Sequence, residues 1–376
     1  VKYVAVFLLI FGASWAYAVT WWPRPGELRV SSSRESYPNI LMVVLDSVRA
    51  DHLSCYGYHR PTSPTIDRVA KQGVLFENTM SVASWTLPSH ASMFTGQFPG
   101  EHLATSRHLF LDFTYPTLAQ ILRRLGYRTG LFSANAFVGL STGLARGFEH
   151  FVVFGTDRKL SLTPPLWRIY FNAVVARVYP SYWKWVDNEE LRAAPRVIDS
   201  VLRWLSATSG DKKPFFVFIN LMDAHWPYHE PVHPGLDRFM PDDESFQKVM
   251  TIGRDVQSYL SGKEKVTEEG FSLLMALYDA QIRFMDDQLL RLFKYLENSG
   301  EWGDTVVVIT SDHGEFFGER NLRIHKDVGY ATLSIPLVVA HMPGYGPGDR
   351  VGALVQNVDL FPTILDLLGV KWSGRE

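Results

Sequence analysis

The strongest constraint on this chain is a rhythm: short, continuous apolar runs alternate with amphipathic stretches from residue 39 onward. Asn39-Ile40-Leu41-Met42-Val43-Val44-Leu45 is apolar after its first residue and stops at Asp46. Residues 129–134, 214–222, 305–310 and 335–340 are runs of the same kind. A run without polar interruption suits a strand covered on both faces, as in a parallel sheet, rather than a half-exposed strand. Helical periodicity occupies 65–72, 116–125, 194–206, 268–298 and 358–368. Strand and helix in alternation predict an α/β fold, a doubly wound, mostly parallel sheet between helical layers. Such sheets bind ligands at the carboxyl ends of their strands. Chemistry is therefore sought first at Asp46 and just after residue 310.

The 376 residues fit one large α/β domain with a smaller satellite. With 46% hydrophobic and 20% charged residues the chain is globular rather than disordered. A formal net charge of −2 with scattered Lys and Arg argues against a nucleic-acid partner. The single cysteine, Cys55, excludes an intramolecular disulfide and a multi-cysteine zinc site. Residues 1–22, apolar from Tyr3 to Trp22 after Lys2, read as a signal peptide or a membrane anchor, with a buried core helix as the third alternative. The first two readings put the domain outside the cytoplasm: periplasmic, at the cell surface or secreted. Residues 23–37 read as a linker and 38–376 as the folded domain. An insertion at about 156–190 carries many aromatics with Arg and Lys, which suits a helical pair on the core or a membrane-interface surface. Residues 230–262 read as loop.

Two segments carry chemistry. In Thr86-Leu87-Pro88-Ser89-His90, Pro88 suits a first helical position and Thr86 a residue just upstream. Its hydroxyl then faces the positive end of a helix, where an anion is favoured, although an ordinary N-cap explains the same pattern. In Thr310-Ser311-Asp312-His313-Gly314-Glu315, carboxylate and imidazole follow a buried strand. Asp46, Thr86, Asp312 and His313 together would form a mixed O and N donor set for one divalent ion, Zn²⁺ or Mn²⁺ before Ca²⁺. A polar loop is the plainer reading of Asp-His-Gly taken alone.

Asn39–Asp46, Arg49–Gly57, Thr62–Ala70, Gly73–Phe76, Thr86–Gly96, Ser311–Glu315 and Asp359–Leu365, in this order, resemble the sulfatase family of the alkaline phosphatase superfamily. The resemblance covers residues 38–369. It implies an alkaline phosphatase-like fold and a metal-dependent enzyme that acts on sulfate or phosphate esters, with a lipid or glycan as candidate carrier. It also implies a small C-terminal subdomain beyond the segment present here.

Three departures stand out. Thr86 occupies the place where sulfatases carry a Cys or Ser that becomes formylglycine, and threonine cannot give that aldehyde. His90 stands where the family has Arg, and Ser47 follows Asp46 where a second acid is expected. The set resembles the threonine-nucleophile branch, exemplified by lipoteichoic acid synthases and phosphoethanolamine transferases. The resemblance also places His225, His325 and Lys326 against the transferred group, with His225 and His325 in catalytic roles. For Arg49 a structural ion pair and an anion contact are equally good readings. His52, His59, His102 and His108 read as polar loop residues.

Overall fold

The computed structural model describes residues 29–30, 37–154, 193–325 and 327–371. Its centre is an eight-stranded sheet: β1 (Asn39–Leu45), β2 (Gly73–Met80), β3 (Arg128–Ser133), β4 (His150–Val153), β5 (Phe215–Leu221), β6 (Thr305–Thr310), β7 (Ser334–Ala340) and β8 (Asp349–Gln356). The spatial order is β8-β2-β7-β6-β1-β5-β3-β4. All neighbours pair in parallel except β7, which runs antiparallel to β2 and β6. The sheet is mostly parallel as expected, and its central strands β1, β5 and β6 are the apolar runs.

Side-chain alternation along β1 defines the layers. Leu41, Val43 and Leu45 pack with Ile66 and Val69 of α1 (Pro64–Gln72), Val197 and Val201 of α4 (Ala194–Ala207), and Leu277 and Leu289 of α5 (Glu268–Asn298). Ile40, Met42 and Val44 face Leu87 and Ala91 of α2 (Thr86–Thr95), Leu118 and Ile121 of α3 (Leu118–Arg124), and Phe361 and Ile364 of α6 (Leu360–Leu367). Thus β1 is covered on both faces, and Asp46 leaves its carboxyl end between the two layers.

Some expectations fall differently. Residues 230–262 contain two short helices, Asp243–Val249 and Val256–Leu260, each started by an Asp that caps it. Arg29–Val30, inside the stretch read as linker, pairs with Val370–Lys371. The apolar run 3–22 and the insertion at about 156–190 lie outside the described residues. Among the described residues no helix is long and apolar enough to cross a membrane.

Candidate active site

Asp46 continues the β1 ladder by one bond, its N–H donating to Leu221 O at 2.8 Å. The chain then turns at Ser47, whose φ of 62° is unusual for a residue with a side chain and calls for a reason. That conformation lets Ser47 N–H donate to Asp312 Oδ1 at 3.2 Å, while Ser47 Oγ–H donates to Asp46 Oδ1, also at 3.2 Å. The residue standing where a second acid was expected thus ties the two carboxylates together. Asp312 and His313 leave the end of β6, and the following glycine lets the backbone at Ala331 approach closely. A Cβ on Gly314 would lie 2.1 Å from the Ala331 carbonyl oxygen, so no larger residue fits without backbone movement.

Asp46, Asp312 and His313 are wholly buried, and one ligand atom from each lies within 4.8 Å of the others. His313 Nε2 is 3.4 Å from Asp312 Oδ2 and 3.9 Å from Asp46 Oδ1. His313 Nδ1 lies 3.0 Å from Gly314 O, to which it donates; the lone pair is therefore on Nε2. Burial holds His313 neutral by lowering its pKa. Yet Asp312 Oδ2 and His313 Nε2 are buried with no hydrogen-bond partner. An orphaned carboxylate oxygen and an orphaned imidazole lone pair, aimed at a shared space, fit a cation.

The electrostatics agree. Burial alone would raise the Asp46 pKa, but His225, His313 and the Asn135 amide outweigh it and lower it. Asp312 goes the other way, pushed up to about 7 by burial and then by the Asp46 charge. Two buried carboxyls this close do not both ionise freely without a counter-charge.

Thr86 is the first residue of α2, with Trp85 at the N-cap, so Thr86 is not the cap and Pro88 sits two residues inside the helix. Its Oγ1 instead accepts a hydrogen bond at 3.2 Å from Asn135 Nδ2, which also donates to Asp46 Oδ2 at 2.8 Å. Asn220 Nδ2 donates to the same carboxylate oxygen at 3.2 Å. The buried His90 donates through Nδ1 to Thr86 O at 2.9 Å and stands 3.6 Å from Asp312 Oδ2. Ser89 supports the site from below: its hydroxyl donates to Asp312 O at 2.7 Å and accepts from Asn357 Nδ2 at 2.7 Å.

His225 and His325 extend the cluster. The His325 ring centroid is 4.3 Å from that of His313 and 4.9 Å from that of His225. His325 Nδ1 is held at 2.8 Å by the buried Glu315, and His225 Nδ1 at 2.6 Å by Trp226 O, leaving the Nε2 atoms of both rings for other partners. His225 also lines a cleft with Met222, Trp226, Pro227 and Pro231.

Arg49 is corrected. Its guanidinium pairs with Asp51 at 2.8 Å and Glu319 at 2.6 Å and donates to Glu315 O, so the structural ion pair holds it. Lys326 lies outside the described residues. His52 and His102 are buried rather than in polar loops: His52 bonds Asp279 at 2.7 Å, and His102 bonds Ser92 Oγ at 3.0 Å.

The sulfatase family model matches residues 38–370. The multifunctional alkaline phosphatase superfamily protein PehA of Trinickia caryophylli is 27% identical over 383 residues, covering 88% of this chain and 74% of that protein. Arylsulfatase K of Xenopus laevis is 27% identical over 395 residues, covering 98% and 69%. Among solved structures, the phosphonate monoester hydrolase of Agrobacterium radiobacter superposes with a TM-score of 0.66 at 24% identity, covering 89% of this chain and 74% of that one. The C-terminal periplasmic domain of EptC from Escherichia coli, in complex with Zn, gives 0.65 at 16% identity, covering 94% and 88%. With the fold, the ordered motifs and the family match in agreement, this chain belongs to the sulfatase family and is a hydrolase-type enzyme of the alkaline phosphatase-like fold.

Proposed function

We propose that the protein transfers the phosphoryl group of a phosphate mono- or diester to Thr86 and then to water or an acceptor alcohol. One observation carries this reading. Thr86 Oγ1 and Asp46 Oδ2 share a single amide donor beside the orphaned Asp312 Oδ2 and His313 Nε2. A nucleophile oxygen is thereby fixed at a cation-type donor set, and threonine offers no route to the aldehyde of the sulfatases proper.

Asp46, Asp312 and His313, with Thr86 Oγ1 as the fourth donor, would hold one divalent ion. The mixed O and N set favours Zn²⁺ or Mn²⁺ over Ca²⁺. When bound, such an ion lowers the hydroxyl pKa and offsets charge on the transferred group. The remaining work falls to the protein. Asn135 orients Thr86 Oγ1 for attack. His225 contacts a non-bridging oxygen, and His325, fixed by Glu315, donates a proton from Nε2 to the departing alcohol oxygen. Arg49 takes no part. The apolar run 3–22, read as a signal peptide or an anchor rather than a core helix, supports a site outside the cytoplasm, for which a lipid- or glycan-borne ester is the matching substrate.

A second reading, sulfate-ester hydrolysis, is favoured by the family and by relatives named arylsulfatase and choline-sulfatase. Parallel assays of p-nitrophenyl sulfate, p-nitrophenyl phosphate and bis(p-nitrophenyl) phosphate with added Mn²⁺ or Zn²⁺ decide between them. Preference for either phosphate ester, lost in Thr86→Ala, supports the proposal; preference for the sulfate overturns it.

A further inference from the structure

We infer that Asn135 is a catalytic residue of this site, one that acts chiefly on the second half of the reaction by hydrogen-bonding the Thr86 oxygen as it leaves the transferred group. The inference rests on the Thr86 reading and goes beyond it. Asn135 is 3% exposed and stands just past the carboxyl end of β3.

Its orientation is settled by its partners. The Phe137 N–H can only donate, and it meets Asn135 Oδ1 at 2.9 Å. The nitrogen therefore faces the site, where its two hydrogens are both used, one on Asp46 Oδ2 at 2.8 Å and one on Thr86 Oγ1 at 3.2 Å. The backbone is pinned as well: Asn135 N–H donates to Ser133 Oγ at 3.0 Å, and that hydroxyl donates to Asn135 O at 2.9 Å. This donor is aimed before any substrate arrives, so it costs no reorganisation during the reaction.

A donor on the nucleophile's own oxygen acts unequally on the two steps. In the first, an Oγ1 lone pair forms the bond to phosphorus while the bond from phosphorus to the alcohol oxygen breaks, and the alcohol leaves with that electron pair and a proton from His325, which the proton given up by the Thr86 hydroxyl replaces. Oγ1 loses electron density, so the Asn135 hydrogen bond weakens. In the second, the oxygen of water bonds to phosphorus and the bond to Oγ1 breaks. Its electron pair returns to Oγ1, one proton of the water completes the Thr86 hydroxyl, and the OH stays on the released phosphate. The charge on Oγ1 now grows, and the hydrogen bond strengthens on the way to the transition state. Only an interaction that strengthens along the step accelerates it.

Rapid-quench kinetics on the full chain with p-nitrophenyl phosphate and saturating Mn²⁺ test the inference. In Asn135→Ala the nitrophenol burst should persist, kcat should fall about 10²- to 10³-fold, as on losing one such donor, and the steady-state fraction of protein phosphorylated on Thr86 should rise. Asn135→Ser, which can still donate, should recover part of kcat. Both variants should bind Mn²⁺ and melt like the wild type; if Asn135→Ala does not fold, Asn135→Ser and Asn135→Asp carry the comparison, with Asp the more impaired. Loss of the burst together with kcat, or an unchanged kcat, would overturn the role in release. If wild-type Thr86 never carries phosphate, the nucleophile reading fails first and this inference falls with it.

Discussion

The buried carboxylate cluster around Asp279 and the one around Asp46 and Asp312 are built to opposite ends. In one, Asp279 of α5 is wholly buried, and both its oxygens are engaged: Oδ1 by His52 Nδ1, Oδ2 by Tyr58 Oη and Arg60 Nη1, each at 2.7 Å. In the other, Asp46, Asp312 and His313 are as deeply buried, yet Asp312 Oδ2 and His313 Nε2 have no partner. The first cluster fastens the 52–60 segment to α5 and has nothing left to offer. The second has spent its hydrogen bonds on orienting its atoms and left the lone pairs open. Burial marks both; the pattern of satisfaction separates structure from function.

The largest effect should come from Thr86→Ala, which removes the proposed nucleophile while leaving the fold. Turnover of the best phosphate ester should drop at least about 10³-fold with little change in Tm. Retention of activity would detach Thr86 from the chemistry.

Next come the paired variants Asp279→Asn and Asp312→Asn, compared by thermal melting with and without Mn²⁺. Asp279→Asn breaks a satisfied buried network and should lose about 3–5 kcal/mol of stability while keeping its cation-induced Tm shift. Asp312→Asn removes a charge that burial already disfavours. It should leave the metal-free protein as stable or more so and abolish the shift. The reverse pattern would mean that the two clusters have been assigned the wrong way round.

A smaller effect is the pH dependence of that shift. The Asp312 carboxyl is raised in the fold, to about 7 against an ordinary 3.8, by burial and then by Asp46. Such a group contributes stability to the metal-free protein that is fully present below the unfolded value and is lost as pH rises through about 7. A cation reverses this by displacing the proton, so the Mn²⁺-induced Tm shift should grow from about pH 6 to about pH 8. A shift that shrinks over this range would exclude Asp312 from the ligands.

The smallest effect belongs to Arg49. Its partners Asp51 and Glu319 are 59% and 42% exposed. Arg49 itself is 11% exposed and also donates to Glu315 O, so Arg49→Met should cost about 1–2 kcal/mol, with KM within about twofold of wild type. A large rise in KM would restore the anion contact that the sequence also allowed.

Much of the fold was legible because burial on both faces writes itself as an apolar run, which is why β1, β5 and β6 stand out. Strand direction leaves no such mark, so the antiparallel β7 looks like its neighbours. Nor does an edge: β8 is Asp-Arg-Val-Gly-Ala-Leu-Val-Gln, largely exposed, and is not among the apolar runs that stand out in the sequence. β2 turns polar halfway along and so offers no continuous apolar run. At the site, Asp46, Asp312 and His313 follow from the strand-end rule. That rule, extended one residue past the run at 129–134, would also have found Asn135. Glu315 was visible as a motif residue, but its partner His325 is brought to it only by the fold, and only the fold brings His90, whose own bond is to Thr86 O, within 3.6 Å of Asp312 Oδ2. The support of Asp312 O by Ser89 and Asn357 spans most of the chain and has no local signal.

The central claim is that Thr86 carries the transferred group at a cation site built from Asp46, Asp312 and His313. Its most direct test is peptide mapping of protein quenched during turnover of a phosphate ester radiolabelled at phosphorus. The account predicts label on the peptide that contains Thr86, dependent on Mn²⁺ or Zn²⁺ and absent from His313→Ala. Turnover of the same ester with no label on Thr86 at any quench time would contradict it.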